Sequence, residues 1–255
     1  MKPHPVFEKG FLVLGHRGTP LRYPENTMAG FAGALEEGAH GIELDVRVTK
    51  DGVPVVFHDA RLNRMTNGRG FLKSKTLSEI KQLTIAGAFA PAANANKIPT
   101  LEEVLQAFGK KTILNIEIKG HPRKADALAE KLLSLIHRYH DLEKTIISSF
   151  NPIPLRRVRK LEPDIATAFL IDKNFFIRRT EKAIYRLAGM NAVHIEAGLV
   201  NPQFLYRLRS SGFYCLVWGE YDPHHIGKLI ELGVNGIITD YPGTTVKQLE
   251  RLCVS

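Results

Sequence analysis

Hydrophobic and polar positions along this chain alternate with two different periods. Short apolar runs read as buried strands, and stretches with an apolar residue every three or four positions read as amphipathic helices. The runs predict strands over residues 11–15, 41–48, 112–118, 145–149, 165–171, 192–195, 214–218 and 236–239. The longer period predicts helices near 25–38, 77–83, 100–109, 125–139, 152–161, 178–188, 202–211, 223–232 and 244–252. Local signals set several of these ends. Glu25-Asn26-Thr27 opens the first helix with Asn26 or Thr27 as N-cap, and Gly38 stops it. Thr100-Leu101-Glu102-Glu103 has the spacing of a capping box. Lys50-Asp51-Gly52 makes a turn, after which Val53-Pro54-Val55-Val56-Phe57 runs extended to His58-Asp59. From 60 to 99 the pattern is irregular and reads as an insertion carrying one short helix.

About eight strand–helix units in 255 residues is the pattern of an α/β chain folded as one (β/α)8 TIM barrel, here with a small insertion after the second strand. An open doubly wound sheet is the rival. No Gly-x-Gly-x-x-Gly loop follows the first strand, so a nicotinamide cofactor is not expected. Hydrophobic residues make up 44% of the chain, enough for one large core, and residues 1–255 are taken as a single domain. Two cysteines, Cys215 and Cys253, give no disulfide framework and favour a reducing compartment. No signal-peptide pattern opens the sequence, and no apolar run approaches the roughly 18 residues that span a bilayer. The expectation is a cytoplasmic protein without stable membrane insertion.

Net charge is +9, which favours anionic partners. The densest basic runs, Arg156-Arg157-Val158-Arg159-Lys160 and Arg178-Arg179, fall in amphipathic helices and read as solvated faces. No aromatic platform interleaves with them, so nucleic acid is not an expected partner. The sequence carries no signature of an oligomeric state.

The charged residues inside the strand runs change the picture most. In Gly41-Ile42-Glu43-Leu44-Asp45-Val46-Arg47-Val48, two carboxylates lie two residues apart, on one face of a strand and roughly 6.5 Å apart along it. A Glu and an Asp of unequal length can lean onto one small hard cation. Ile116-Glu117-Ile118-Lys119 repeats the spacing on another strand, and His16-Arg17 and His58 stand at strand ends. A solvated face of an antiparallel sheet would also carry charges, but the flanking residues here are uniformly apolar. In a barrel all these groups face the mouth at the carboxyl ends of the strands, and Trp218 joins them there. Glu43, Asp45 and Glu117 offer only hard oxygen ligands, which suits Mg2+ or Ca2+ better than zinc. A cation beside Arg17 and Lys119 makes a pocket for a phosphate oxygen. His16 and His58, with an ordinary pKa near 6.5, can act as acid and base on either side of phosphorus. Phosphodiester cleavage uses all these groups together. His40 precedes its strand and reads as structural, as do His137, His140, His224 and His225 on or beside helices; His121 is a second-tier candidate.

Gly15-His16-Arg17-Gly18, Pro24-Glu25-Asn26-Thr27, Glu43-Leu44-Asp45-Val46, His58-Asp59, Glu117-Ile118-Lys119, Ser148-Ser149-Phe150-Asn151, Trp218 and Gly236-Ile237-Ile238-Thr239-Asp240-Tyr241-Pro242 together resemble the glycerophosphodiester phosphodiesterase family, in its order, from about residue 11 to 245. The resemblance implies a barrel with a small insertion after strand two and a divalent ion held by Glu43, Asp45 and Glu117. It implies an acid–base pair of His16 and His58, with Arg17 on the phosphate and Lys119 nearby. The implied reaction splits glycerol-3-phospho-alcohols, such as glycerophosphocholine or glycerophosphoethanolamine, into sn-glycerol 3-phosphate and the alcohol. Glu25 and Asn26 are left between contacts to metal or phosphate and capping of the first helix. Trp218 is read as a wall for the glycerol rather than as barrel core. After it the family commonly continues Thr-Val-Asn, whereas this chain has Gly219-Glu220-Tyr221, so Glu220 and Glu196 bear on the leaving alcohol.

Two other functions fit parts of the pattern. A lysophospholipase D-like enzyme would keep the same centre, dock its basic helices on a membrane and need an apolar trough, with segment 71–95 as its lining. A non-catalytic barrel binding phosphorylated ligands would have little use for the full set of polar residues.

Overall fold

The computed structural model of the chain describes residues 4–85, 97–120, 125–173, 189–219 and 222–254. Among these, eight parallel strands close into a barrel: β1 (Leu12–Gly15), β2 (Gly41–Val48), β4 (Ile113–Ile118), β5 (Thr145–Ser149), β6 (Ala166–Ile171), β7 (Ala192–Glu196), β8 (Tyr214–Trp218) and β9 (Gly236–Thr239). Strand β3 (Pro54–Val56) folds back antiparallel on the upper end of β2, with Val46 opposite Val56. β1 pairs with both β2 and β9, which completes the ring. This is the expected (β/α)8 architecture.

The helices are α1 (Met28–Glu36), α2 (Leu77–Gln82), α3 (Leu101–Phe108), α4 (Ala125–Tyr139), α5 (Pro152–Leu161), α6 (Pro202–Ser210), α7 (Ile226–Glu231) and α8 (Pro242–Val254). Their starts follow local chemistry. Thr27, not Asn26, caps α1, its side chain accepting from the Gly30 N–H. Thr76 and Thr100 open α2 and α3 with full capping boxes. The helix expected over 223–232 is divided, because Pro223–His225 winds as a 3-10 turn before α7 begins. The basic run on α5 behaves as an amphipathic face: Leu155 and Val158 are buried while Arg157 pairs with Glu130. The helix expected at 178–188, with Arg178 and Arg179, lies outside the described residues, as do His121 and Glu220.

One apolar layer fills the space between strands and helices, from Val13 and Phe31 round to Val217 and Ile237. A second cluster, including Leu12, Leu14, Ile146, Leu216 and Ile238, plugs the barrel interior. A third, of Val55, Phe57, Leu62, Leu72, Ile80, Ile85 and Ile98, holds the described part of the insertion onto β3. Of the expected trough over 71–95, residues 86–95 lie outside the described residues; within the described part Phe71 stacks under the Arg61 guanidinium, and Leu72, Ile80 and Ile85 are buried.

The strand register sorts the interior side chains into layers. The pairings close on themselves when each strand steps up one residue on the last, with alternate strands filling alternate layers. Leu14, Asn115, Ala168 and Leu216 then share one layer. Glu43, Ser148, His194 and Ile238 lie above it, and His16, Glu117, Leu170 and Trp218 form the top. Polarity therefore rises toward the carboxyl ends of the strands. No helix among the described residues is long and apolar enough to cross a membrane.

Candidate active site

The upper end of the barrel interior opens into a cleft. Its walls include His16, Arg17, Glu43, His58, Glu117, Lys119 and Trp218, all named from the sequence, together with Asn115, Ser148, Phe150, Leu170 and Ile238. Asp45, also named, lies buried beside Glu43 and Glu117.

The β1 turn places Arg17. Gly15 and Gly18 are required there, since a Cβ on Gly15 would sit 2.5 Å from the Gly18 carbonyl oxygen and one on Gly18 2.5 Å from the Gly30 carbonyl carbon. Arg17 itself takes a left-handed backbone with φ 53°, a costly conformation for a side chain of this size. The turn aims its backbone N–H at Glu43 Oε2, 3.0 Å away, and its guanidinium Nε at Asp45 Oδ2, 3.2 Å away.

Asn26, also left-handed with φ 58°, grips Asp45 twice. Its Nδ2 donates to Asp45 Oδ2 at 2.8 Å, and its Oδ1 accepts from the Asp45 backbone N–H at 3.2 Å. Glu25 accepts from Arg17 and Arg64. Neither residue caps α1, so the expected capping role belongs to Thr27 alone. Lys119 Nζ lies 3.1 Å from Asp45 Oδ1 and 2.5 Å from Glu117 Oε1.

Glu43, Asp45 and Glu117 converge, with one ligand oxygen from each within 4.8 Å of the others. Burial, then the neighbouring Asp45 charge, pushes Glu43 well above the ordinary carboxylate range. Glu117 is raised as well, chiefly by burial, with Asp45 and Glu43 adding to it. Burial would also raise Asp45, but Lys119 and Arg17 outweigh it and hold that carboxyl low. Three buried carboxylates that resist simultaneous ionisation make a donor set that a hard divalent cation relieves. The residues fit such an ion.

Each histidine is braced by an aspartate. His16 Nδ1 is 2.6 Å from Asp240 Oδ1, across from the end of β9, and His58 Nδ1 is 2.7 Å from Asp59 Oδ1. Arg47 Nε fixes the His58 carbonyl at 2.7 Å. The two imidazoles are tuned apart. Burial would lower His16, but the Asp240 hydrogen bond and the Glu43 charge raise it above the ordinary value. Burial dominates at His58 and lowers it, with Lys119 and Arg17 acting the same way. Asp59 and Asp240 sat inside motifs read from the sequence without a role. The sequence signal is local for Asp59, which adjoins His58, and absent for Asp240, which follows β9 and lies 224 residues from His16.

At the rim, Phe150 meets Trp218 edge to face with centroids 5.6 Å apart, and the Trp218 indole N–H donates to the His194 carbonyl. Glu196 accepts from the Lys173 backbone N–H. Three further histidines bond to the scaffold. His40 accepts from the Val13 N–H and His140 from the Lys110 N–H, while His137 pairs with Glu162.

The sequence pattern described as the glycerophosphoryl diester phosphodiesterase family matches residues 16–244. The chain belongs to that family. Membership makes it an enzyme, a phosphoric diester hydrolase. It is 37% identical to a glycerophosphodiester phosphodiesterase of Caldanaerobacter subterraneus subsp. tengcongensis, over 94% of this chain and 98% of that one. Among solved structures, a glycerophosphodiester phosphodiesterase from Thermotoga maritima superimposes with a TM-score of 0.75 at 30% identity, covering 93% of this chain and 97% of the other. A phosphodiesterase from Oleispira antarctica, in complex with the product sn-glycerol-3-phosphate, gives a TM-score of 0.83 at 25% identity over 96% and 99% of the two chains.

Proposed function

We propose that this family member hydrolyses glycerol-3-phospho-alcohols to sn-glycerol 3-phosphate and the free alcohol, using a divalent ion and the His16/His58 pair. The observation that carries this reading is the cleft itself, where a three-carboxylate cluster adjoins two histidines whose pKa values are displaced in opposite directions. Two imidazoles displaced apart in this way suit the acid and the base of a concerted step. The product found in the Oleispira antarctica relative is of the same chemical kind.

Glu43, Asp45 and Glu117 would hold Mg2+ or Ca2+, which when bound withdraws charge from the phosphate and steadies the charge that grows on it. Arg17 and Lys119 supply two further positive groups for the phosphoryl oxygens, and Trp218 walls the glycerol side. His58, whose pKa burial lowers, takes the proton of the glycerol 2-hydroxyl, whose oxygen attacks phosphorus. His16, protonated, gives its proton to the departing alcohol, leaving a glycerol cyclic phosphate. Water then opens the ring with the roles reversed: His16 removes its proton and His58 returns one to the 2-oxygen. Both imidazoles end as they began.

His16→Ala and His58→Ala should each lower the release of glycerol 3-phosphate from glycerophosphocholine by on the order of 10²–10⁴-fold. Removing divalent ions with a chelator should abolish it. Turnover that survives all three treatments refutes the mechanism.

A further inference from the structure

Arg64 stands in the turn that follows β3, one residue from neither histidine yet joined to both halves of the cleft. Leu62, fully buried in the cluster under β3, anchors this turn, and Thr66 N–H closes it on the Leu62 carbonyl. From there the guanidinium forks in two directions. Its Nε donates to Asp59 Oδ2 at 2.7 Å and its Nη2 to Asp59 Oδ1 at 3.0 Å. On the other side Nη2 donates to Glu25 Oε1 at 2.6 Å and Nη1 to Glu25 Oε2 at 3.0 Å.

Of the two Asp59 oxygens that Arg64 engages, Oδ1 is the one that also holds His58 Nδ1. Of the two Glu25 oxygens that Arg64 engages, Oε1 is the one that also accepts from Arg17 Nη1, at 3.2 Å. An unbroken chain therefore runs from His58 through Asp59, Arg64, Glu25 and Arg17 to Asp45. Single exposed ion pairs contribute little, but a planar guanidinium meeting two carboxylates in fork geometry sets both in orientation. Asp59 alone, on a loop and partly open to water, could swing away from the imidazole.

We infer that Arg64 is a positioning residue, which acts through Asp59 and Glu25 to hold the His58 imidazole and the Arg17 guanidinium in fixed relation across the cleft. It touches no reacting atom. The inference rests on the acid–base role proposed for His58.

The test uses the full-length, metal-replete enzyme and glycerophosphocholine as substrate. Arg64→Ala should lower kcat by roughly 10- to 100-fold, the size typical of losing the outer partner of a functional histidine. Arg64→Lys keeps the charge but not the fork, and should stay slow. Added guanidinium chloride should restore part of the activity of Arg64→Ala, while sodium chloride at equal ionic strength should not. In an Asp59→Asn, Glu25→Gln background, Arg64→Ala should cost little more, because the groups through which it acts are already disabled. Folding of each variant is checked by its thermal midpoint, and Arg64→Gln stands in should the alanine variant fail to fold. Wild-type kcat in Arg64→Ala or Arg64→Lys, absence of guanidinium rescue, or a full independent loss in the double-substituted background each overturns the inference. His58→Ala separates the two levels. If it stays active, the acid–base proposal itself falls; if it is dead while Arg64→Ala runs normally, only the role of Arg64 falls.

Discussion

Asp240 reaches His16 from the far end of the chain and is the largest influence holding that imidazole above its ordinary pKa against the pull of burial. Its removal therefore has a direction. In the Asp240→Asn variant the His16 pKa drops, so the alkaline limb of the kcat/KM profile, which reports loss of the protonated acid, should move to lower pH. The acid limb, set by His58, should stay where it is. An alkaline limb that is unmoved, or that moves up, rejects His16 as the proton donor. His194 shows the opposite extreme, fully buried in the interior layer with its pKa pushed down to about 3 by burial alone. It stays neutral throughout the working range, so neither limb should report it.

Strands are legible because a parallel barrel buries them on both sides, and runs such as residues 12–14 and Tyr214–Trp218 stand out as apolar. Charged residues inside such runs, Glu43, Asp45 and Glu117, announced the cleft for the same reason. What the pattern could not carry was long-range pairing. Nothing local marks Asp240 as the partner of residue 16, or Arg64 as the partner of Asp59 and Glu25. Asn26 is legible only as either a capping residue or a contact to metal or phosphate, because its left-handed backbone and its grip on Asp45 depend on β2 arriving beside it. The β1 turn is a demanding local element. Gly18 has φ 95° and no room for a Cβ against Gly30. Gly18→Ala should cost about 1–2 kcal/mol for the left-handed backbone alone, and more for the close contact with α1. Urea unfolding measures the loss; a midpoint equal to that of the wild type contradicts the turn geometry.

At the scale of the whole molecule, the acidic cluster ties stability to the proposed ion. An ion that binds the folded chain alone, present at a hundred times its Kd, adds about 2.7 kcal/mol, or roughly 5–10 °C in Tm for a chain of this size. Mg2+ or Ca2+ should raise the melting temperature of the wild type and leave that of Glu117→Gln nearly unchanged. Because Glu43 and Glu117 hold their protons above the usual range, the apparent affinity should tighten as pH rises, with proton release on binding. A Tm indifferent to both ions removes the cluster as a metal site. The closure of β1 against β9, with Leu12 opposite Gly236 and His16 tied to Asp240, has one more consequence. As the ribosome makes this chain, β1 emerges first and keeps one hydrogen-bonding edge bare until residues 236–240 follow. A nascent chain halted before that point would carry an unbraced His16 and an open edge, so activity should arrive late and abruptly, with the final strand.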